Sequence, residues 1–381
     1  MKFPITEFAK LDTPFYYYDI DLLMETLTEL KAQIADEPYA VHYAVKANAN
    51  SRLLQVVKDN GLGADCVSGW EVKAAIEAGF APQSIVFAGV GKTDKEINYA
   101  LDCGIACFNV ESEPELEIIN QLAKDKGVVA NVAIRVNPNI DAHTHKYITT
   151  GLSENKFGIS LESLPRVIDM ANELSNVKLK GLHFHIGSQL TDFTPYVMLC
   201  DTVNRLQDEF YKKGVQFETI NVGGGLGIDY DNPDSRAIAD FKTFFNVFKQ
   251  HLRVRDGQRV HFELGRSVMA QCGSLITRAT YVKQSTMKQF VIVDAGMSDL
   301  IRPALYQAHH KIQNISNDDS ATVKYDVVGP ICESSDVFGT DEVLPVTKRG
   351  DLLAIRSAGA YGEIMASHYN LRPFAKAVFS K

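Results

Sequence analysis

Residues 63–88 read GADCVSGWEVKAAIEAGFAPQSIVFA. A short apolar run, 63–67, is followed by an amphipathic stretch, 69–78, and by a second apolar run, 84–88. Near-continuous apolar runs of this length suit strands buried on both faces, and the helical spacing between them suits a crossover helix. The same alternation extends in both directions. Strand-like runs occupy 41–46, 63–67, 84–88, 105–110, 131–137, 181–186, 219–223 and 260–264, with amphipathic stretches such as 113–123 and 161–174 between them. Eight such repeats predict an α/β fold, a (β/α)8 TIM-type barrel. An open, doubly wound sheet is the alternative that the pattern leaves standing.

Past residue 266 the texture changes. The runs 274–282, 289–294, 321–328 and 351–356 are strand-like, and no comparable helix separates them. The early run TPFYYY, 13–18, is strand-like too and precedes the first barrel helix. The expected organisation is therefore a barrel over 20–265 and a β-rich domain over 266–381 that also takes in the N-terminal strand within 1–19.

The composition bounds the partners. The chain has 381 residues, 45% hydrophobic and 23% charged, which is an ordinary globular mixture spread over two domains. With 39 basic and 47 acidic residues the net charge is −8, which argues against a nucleic-acid footprint and for a small-molecule substrate. No run approaches the roughly 18 apolar residues of a membrane span, and MKFPITEFAK lacks the apolar core of a signal peptide. Six cysteines, at 66, 103, 107, 200, 272 and 332, include no CxxC pair, so reduced thiols in a cytoplasm are expected.

In a (β/α)8 barrel the chemistry gathers where the strands end. The first strand ends in Lys46, either a snorkelling surface lysine or an amine tuned for Schiff-base chemistry. The sixth carries His183 and His185, two residues apart and so on one face, with Ser188 shortly after. The seventh ends in Gly223, Gly224 and Gly225, and the eighth in Glu263, Leu264, Gly265 and Arg266. Glycines after strands seven and eight suit a phosphate, held by backbone N–H groups, although a tight turn would need them as well. A dinucleotide motif starting at Gly223 would require glycine at 228, where Ile228 stands. The His183/His185 pair, or His143/His145 in a polar loop, could serve a metal, but no carboxylate set completes such a site, so no metal is expected. A lysine, a histidine, a phosphate cradle and one carboxylate are together the requirements of pyridoxal 5'-phosphate.

Seven motifs carry a resemblance over roughly 13–372: YAVKAN, HFHIGSQ, GGGLG, ELGR, DAGMSDLIRPALY, GPICESSD and AGAYG. In this order they resemble the fold-type III pyridoxal-phosphate decarboxylases, and TGLSENKFGI at 150–159 fits as well. The resemblance implies Lys46 as the Schiff-base lysine, His185 against the cofactor ring and Glu263 at the pyridine nitrogen. It implies Ser188, Gly225, Gly265, Arg266 and Tyr361 near the phosphate, and Cys332 as the acid that returns a proton to the substrate. Arg266, Arg302, Tyr306, Glu333 and Tyr361 are the implied substrate contacts. It further implies a head-to-tail homodimer in which Cys332 reaches the partner's barrel. A carboxylate at the pyridine nitrogen suits decarboxylation. Glu333 with Arg266 and Arg302 suits a substrate bearing a second amino-acid head, so the expected reaction converts meso-2,6-diaminopimelate to L-lysine and CO2. Ornithine, lysine or carboxynorspermidine decarboxylation is the alternative. Leu264 replaces the family's usual proline, and His368 departs from the family's tail.

Overall fold

The computed structural model describes residues 2–140, 156–317 and 320–380. The chain packs as two compact units. One comprises Leu27–Gly227 and Asp240–Gly265, the other Met1–Thr26, Ile228–Ala239 and Arg266–Lys381.

The first unit is the barrel. Its strands are β1 (Tyr39–Ala44), β2 (Gly63–Cys66), β3 (Ile85–Phe87), β4 (Cys107–Val110), β5 (Ala130–Asn137), β6 (Val177–His183), β7 (Thr219–Asn221) and β8 (Arg259–Leu264). They pair in parallel in chain order, β8 returns to pair with β1, and the ring closes. The sheet is therefore the closed barrel and not the open alternative. A two-residue strand, Ile159–Ser160, adds to β5. Local chemistry starts the helices that follow β2, β3 and β4: the hydroxyls of Ser68, Thr93 and Ser112 accept from backbone N–H groups in the first turn, and Thr93 with Glu96 completes a capping box. Outside β8, Phe244, Phe245 and Phe248 of the helix Phe241–His251 stack edge-on around Phe262 at 5.0–5.8 Å.

The second unit is β-rich. Its sheet runs Ile312–Asn314, Leu352–Ile355, Gly273–Gln284, Gln289–Val293, Thr322–Val328, Val337–Pro345. Phe15–Tyr18 joins it antiparallel to Gly273–Gln284 and also pairs with Lys376–Phe379. Phe8, Phe15, Tyr17, Ile276, Leu352 and Ala354 form its apolar core. The segment Ile228–Ala239 lies inside the 20–265 span expected for the barrel, yet it packs in this unit. Asp234 explains the attachment: its carboxylate takes two hydrogen bonds from buried Arg356, at 2.8 and 3.1 Å.

Candidate active site

In the barrel unit the polar residues near the strand ends are buried and meet one another. Glu263 of β8 accepts from Asn221 of β7 at 2.7 Å and from Asn109 of β4 at 3.2 Å, both on Oε1. His183 Nε2 of β6 lies 3.1 Å from the other oxygen. Since β4 and β8 are not neighbours, these side chains cross the barrel interior. Burial alone would raise the Glu263 carboxyl, but His183, through charge and a hydrogen bond, and then Lys46 outweigh it, so the group is held well below the usual carboxylate range.

The first strand stops at Ala44 and not at Lys46 as expected, so Lys46 lies two residues past it, in the 3-10 turn Val45–Ala47. Its Nζ stands 3.8 Å from Asp65 Oδ2 of β2. Asp65 is fully buried and neither of its oxygens has a hydrogen bond. Burial and the Glu263 charge push its carboxyl up, against the pull of Lys46. Gly265 packs behind the lysine turn, where a Cβ would lie 3.0 Å from that of Ala47.

His183 and His185 do not act as a pair. His183 is the last residue of β6, whereas His185 lies beyond the strand and its Nδ1 accepts from the Gly224 N–H at 3.3 Å. Loss of solvent, then the charges of Lys46 and Arg135, lower the His185 ring well below the usual histidine range, so it is neutral near pH 7. The glycine loop leaves no space for side chains: a Cβ on Gly224 would lie 1.8 Å from the Glu263 carbonyl oxygen, and Gly225 has φ +104°. The loop that carries Ser188 is pinned to it by Leu190 N–H to the Gly225 carbonyl, 2.8 Å.

In the β-rich unit a second set forms. Arg266 and Arg302, each 6% exposed, both donate to the Tyr230 hydroxyl, at 2.6 and 3.2 Å. The short helix Arg302–Tyr306 sets its two end residues four apart on one face, and the Arg302 guanidinium lies 5.9 Å from the Tyr306 ring. Arg266 faces the Tyr361 ring at 4.9 Å. Cys332 is exposed on a loop built around buried Asp336, whose carboxylate accepts from the N–H groups of Met297 and Ile331 at 2.6 and 2.7 Å. Beside it, Glu333 takes hydrogen bonds from Tyr369 and, at 3.3 Å, from Ser335. His143, His145 and the 150–155 part of the 150–159 motif lie outside the described residues.

Asp65, Asn109, Asn221, Tyr230 and His310 are not among the residues singled out from sequence. A charged residue inside the apolar run 63–67 was a usable signal for Asp65, since burial of an unpaired carboxylate is costly. Asparagines at strand ends and a tyrosine in a loop carry no comparable signal.

The comparisons with known proteins decide the family. Residues 21–270 match the family model of the pyridoxal-dependent decarboxylases, pyridoxal binding domain. The chain belongs to the pyridoxal-dependent decarboxylases. It is 58% identical to a diaminopimelate decarboxylase of Bacteroides thetaiotaomicron over 99% of this chain and 98% of that protein. A crystal structure of diaminopimelate decarboxylase from Helicobacter pylori, complexed with L-lysine, is 40% identical and superimposes with a TM-score of 0.94 over 99% of this chain and 94% of that one. A lysine/ornithine decarboxylase from Vibrio vulnificus shares the fold, with a TM-score of 0.86 over 99% of this chain and 97% of that one, at 22% identity.

As in the family, the cofactor is pyridoxal 5'-phosphate, and the residues present fit it. A carboxylate has about four acceptor positions. Three on Glu263 are taken, which leaves Oε2 one lone pair for a ring N–H. The crowding at Gly223, Gly224 and Gly225 admits only backbone in the loop where a phosphate is expected, and Lys46 supplies the amine.

Proposed function

We infer that this enzyme removes CO2 from meso-2,6-diaminopimelate to give L-lysine, the last step of lysine biosynthesis. The observation that carries the substrate choice is the meeting of two buried guanidiniums, Arg266 and Arg302, on one tyrosine hydroxyl. Two cations held together out of water call for an anion, and diaminopimelate brings a second carboxylate at its far end. Lysine and ornithine have only the carboxylate that leaves. The full-length similarity to diaminopimelate decarboxylases supports the same assignment.

The bound cofactor supplies the electron sink for the electrons released when the bond between Cα and the carboxylate breaks. Lys46 is the proposed covalent attachment point. Neutral His185 packs against the ring, where a charged imidazole would oppose a protonated pyridine. Ionised Glu263 keeps that pyridine nitrogen protonated. Gly223, Gly224, Gly225, Ser188, Gly265, Arg266 and Tyr361 are the proposed phosphate contacts. Arg302, Tyr306, Tyr361 and Arg266 hold the distal carboxylate, and Glu333 holds the distal ammonium.

Cys332 is the proposed donor of the proton that takes the place of CO2 on the substrate carbon. An exposed thiol next to Glu333, on a loop ordered by Asp336, supports presentation to a second subunit. The working form is thus a head-to-tail homodimer with shared sites. The barrel holds the cofactor over 20–265, and 266–381 with the 1–19 strand carries the substrate-specific contacts. No helix among the described residues is long and apolar enough to cross a membrane. The six cysteines are free thiols, which supports a cytoplasmic setting.

The deciding experiment is release of CO2 from meso-diaminopimelate, L-lysine and L-ornithine by one enzyme preparation. Diaminopimelate alone should turn over efficiently. Comparable kcat/KM for ornithine would overturn the assignment in favour of a simple diamino-acid decarboxylase.

A further inference from the structure

We propose that His310 is a positioning residue for substrate recognition: as a neutral hydrogen-bond acceptor it fixes the Arg302 guanidinium in the orientation that receives the distal carboxylate. This rests on the role given to Arg302 above. The His310 ring is fully buried and has a partner on each nitrogen. Nδ1 lies 2.8 Å from the Arg356 carbonyl oxygen. A carbonyl can only accept, so Nδ1 carries the proton and Nε2 presents a lone pair. That lone pair faces Arg302 Nε at 3.2 Å, and Nε–H donates to it.

A guanidinium has five N–H donors in a rigid fork. Nε is occupied by His310, and one edge amine, Nη2, reaches the Tyr230 hydroxyl at 3.2 Å. Two contacts to different atoms of a planar group fix its plane. Neither of these two partners is an anion, so an incoming carboxylate displaces no charge from them. The Tyr230 ring packs edge-on against His310, with centroids 5.0 Å apart, so one aromatic corner sets both contacts.

The anchorage extends one layer further. The carbonyl that orients His310 belongs to Arg356, whose own guanidinium is clamped by Asp234 and Gln313. Asp234 is on the segment Ile228–Ala239 that also carries Tyr230. Both groups that touch Arg302 are thereby tied to the Arg356–Asp234 pair. Burial, then the charge of Arg302, hold the His310 ring down to about 3, so it stays an acceptor across the working pH range.

The test is binding of L-lysine, which keeps the distal head, against cadaverine, which lacks that carboxylate, by calorimetry on the holoenzyme. His310→Phe keeps the ring and removes both hydrogen bonds. It should weaken L-lysine by about tenfold to a hundredfold, the scale of one hydrogen bond to a charged group. Cadaverine binding should be unchanged, and KM for diaminopimelate should rise while kcat holds. His310→Gln keeps an acceptor that reaches Arg302, whereas His310→Asn keeps only the donor to Arg356. Gln should therefore retain L-lysine affinity and Asn should lose it, and this pair decides the matter if the Phe variant does not fold. Equal affinities for the Gln and Asn variants, or unchanged L-lysine binding by a folded His310→Phe, overturn the proposal. Arg302→Ala separates the two levels: if it binds L-lysine normally, the role given to Arg302 fails, and if it loses binding while His310→Phe does not, only the role of His310 fails.

Discussion

His183 Nε2 and Glu263 Oε2 lie 3.1 Å apart inside the barrel, both side chains out of water. The pair keeps Glu263 ionised against the burial that would otherwise protonate it. Glu263→Gln removes the charge but keeps the shape and one acceptor oxygen. It should lower kcat by roughly 10²–10³-fold, the scale seen when one electrostatic stabiliser is lost, with a changed cofactor absorption spectrum. A variant with wild-type kcat and spectrum would show that the pyridine nitrogen has another partner.

Lys46 should carry the cofactor. Borohydride treatment of the holoenzyme should fix it to the tryptic peptide that contains Lys46, and Lys46→Ala should lose both the adduct and turnover. Retention of a reducible adduct with full activity in that variant would move the attachment elsewhere.

Much of this was legible in the sequence because it depends on periodicity. All eight barrel runs are strands at or near the expected places, since an apolar run buried on both faces has few other uses. In the β-rich unit Val337–Pro345 escaped notice because VFGTDEVLP mixes glycine and acids into a strand half open to water. The site was legible where a residue type is costly without a purpose, as at Lys46 and Glu263. It was not legible where a common residue acquires meaning only from its neighbours. Asn109 and Asn221 matter because barrel closure aims both at Glu263. Tyr230 and His310 matter because Ile228–Ala239 leaves the span of the barrel, a rearrangement that no local pattern announces. His183 and His185 looked equivalent by alternation, but the strand stops at His183, so the two rings face different partners.

Sharing of sites between subunits has a direct test. Lys46→Ala and Cys332→Ala homodimers should each be inactive or nearly so. Mixed under conditions that exchange subunits, they should form heterodimers with one intact site and regain part of the wild-type activity. Confirmed exchange without recovery would place Lys46 and Cys332 of one chain in one site.

Selectivity should depend on the far end of the substrate. A site whose buried polar groups are left unpaired by an analogue rejects it by about 10⁴-fold or more. Lysine and ornithine should fall in that range relative to diaminopimelate. Glu333→Gln should cost much more with diaminopimelate than with an analogue that keeps the distal carboxylate and lacks the distal amine. Equal losses with both would remove Glu333 from the distal ammonium.

Acid should destabilise the barrel through a buried histidine pair that bridges β1 and β8. His42 Nε2 and His261 Nδ1 are 3.1 Å apart, and His42 Nδ1 is also bonded to the Ser84 carbonyl. Burial, then the neighbouring His42, bring the His261 ring down to about 3, and burial lowers His42 as well. Unfolded histidine titrates near ~6.5. Between about 6.5 and 3 the unfolded chain therefore binds more protons than the folded one, and stability rises with pH across that window. It is complete above the window and falls as pH drops through it, by up to about 1.4 kcal/mol per pH unit for each such histidine. Urea unfolding midpoints should drop between pH 7 and pH 4.5, and His261→Gln should make that dependence shallower. An identical pH dependence in wild type and variant would mean that His261 is protonated alike in the folded and unfolded chains.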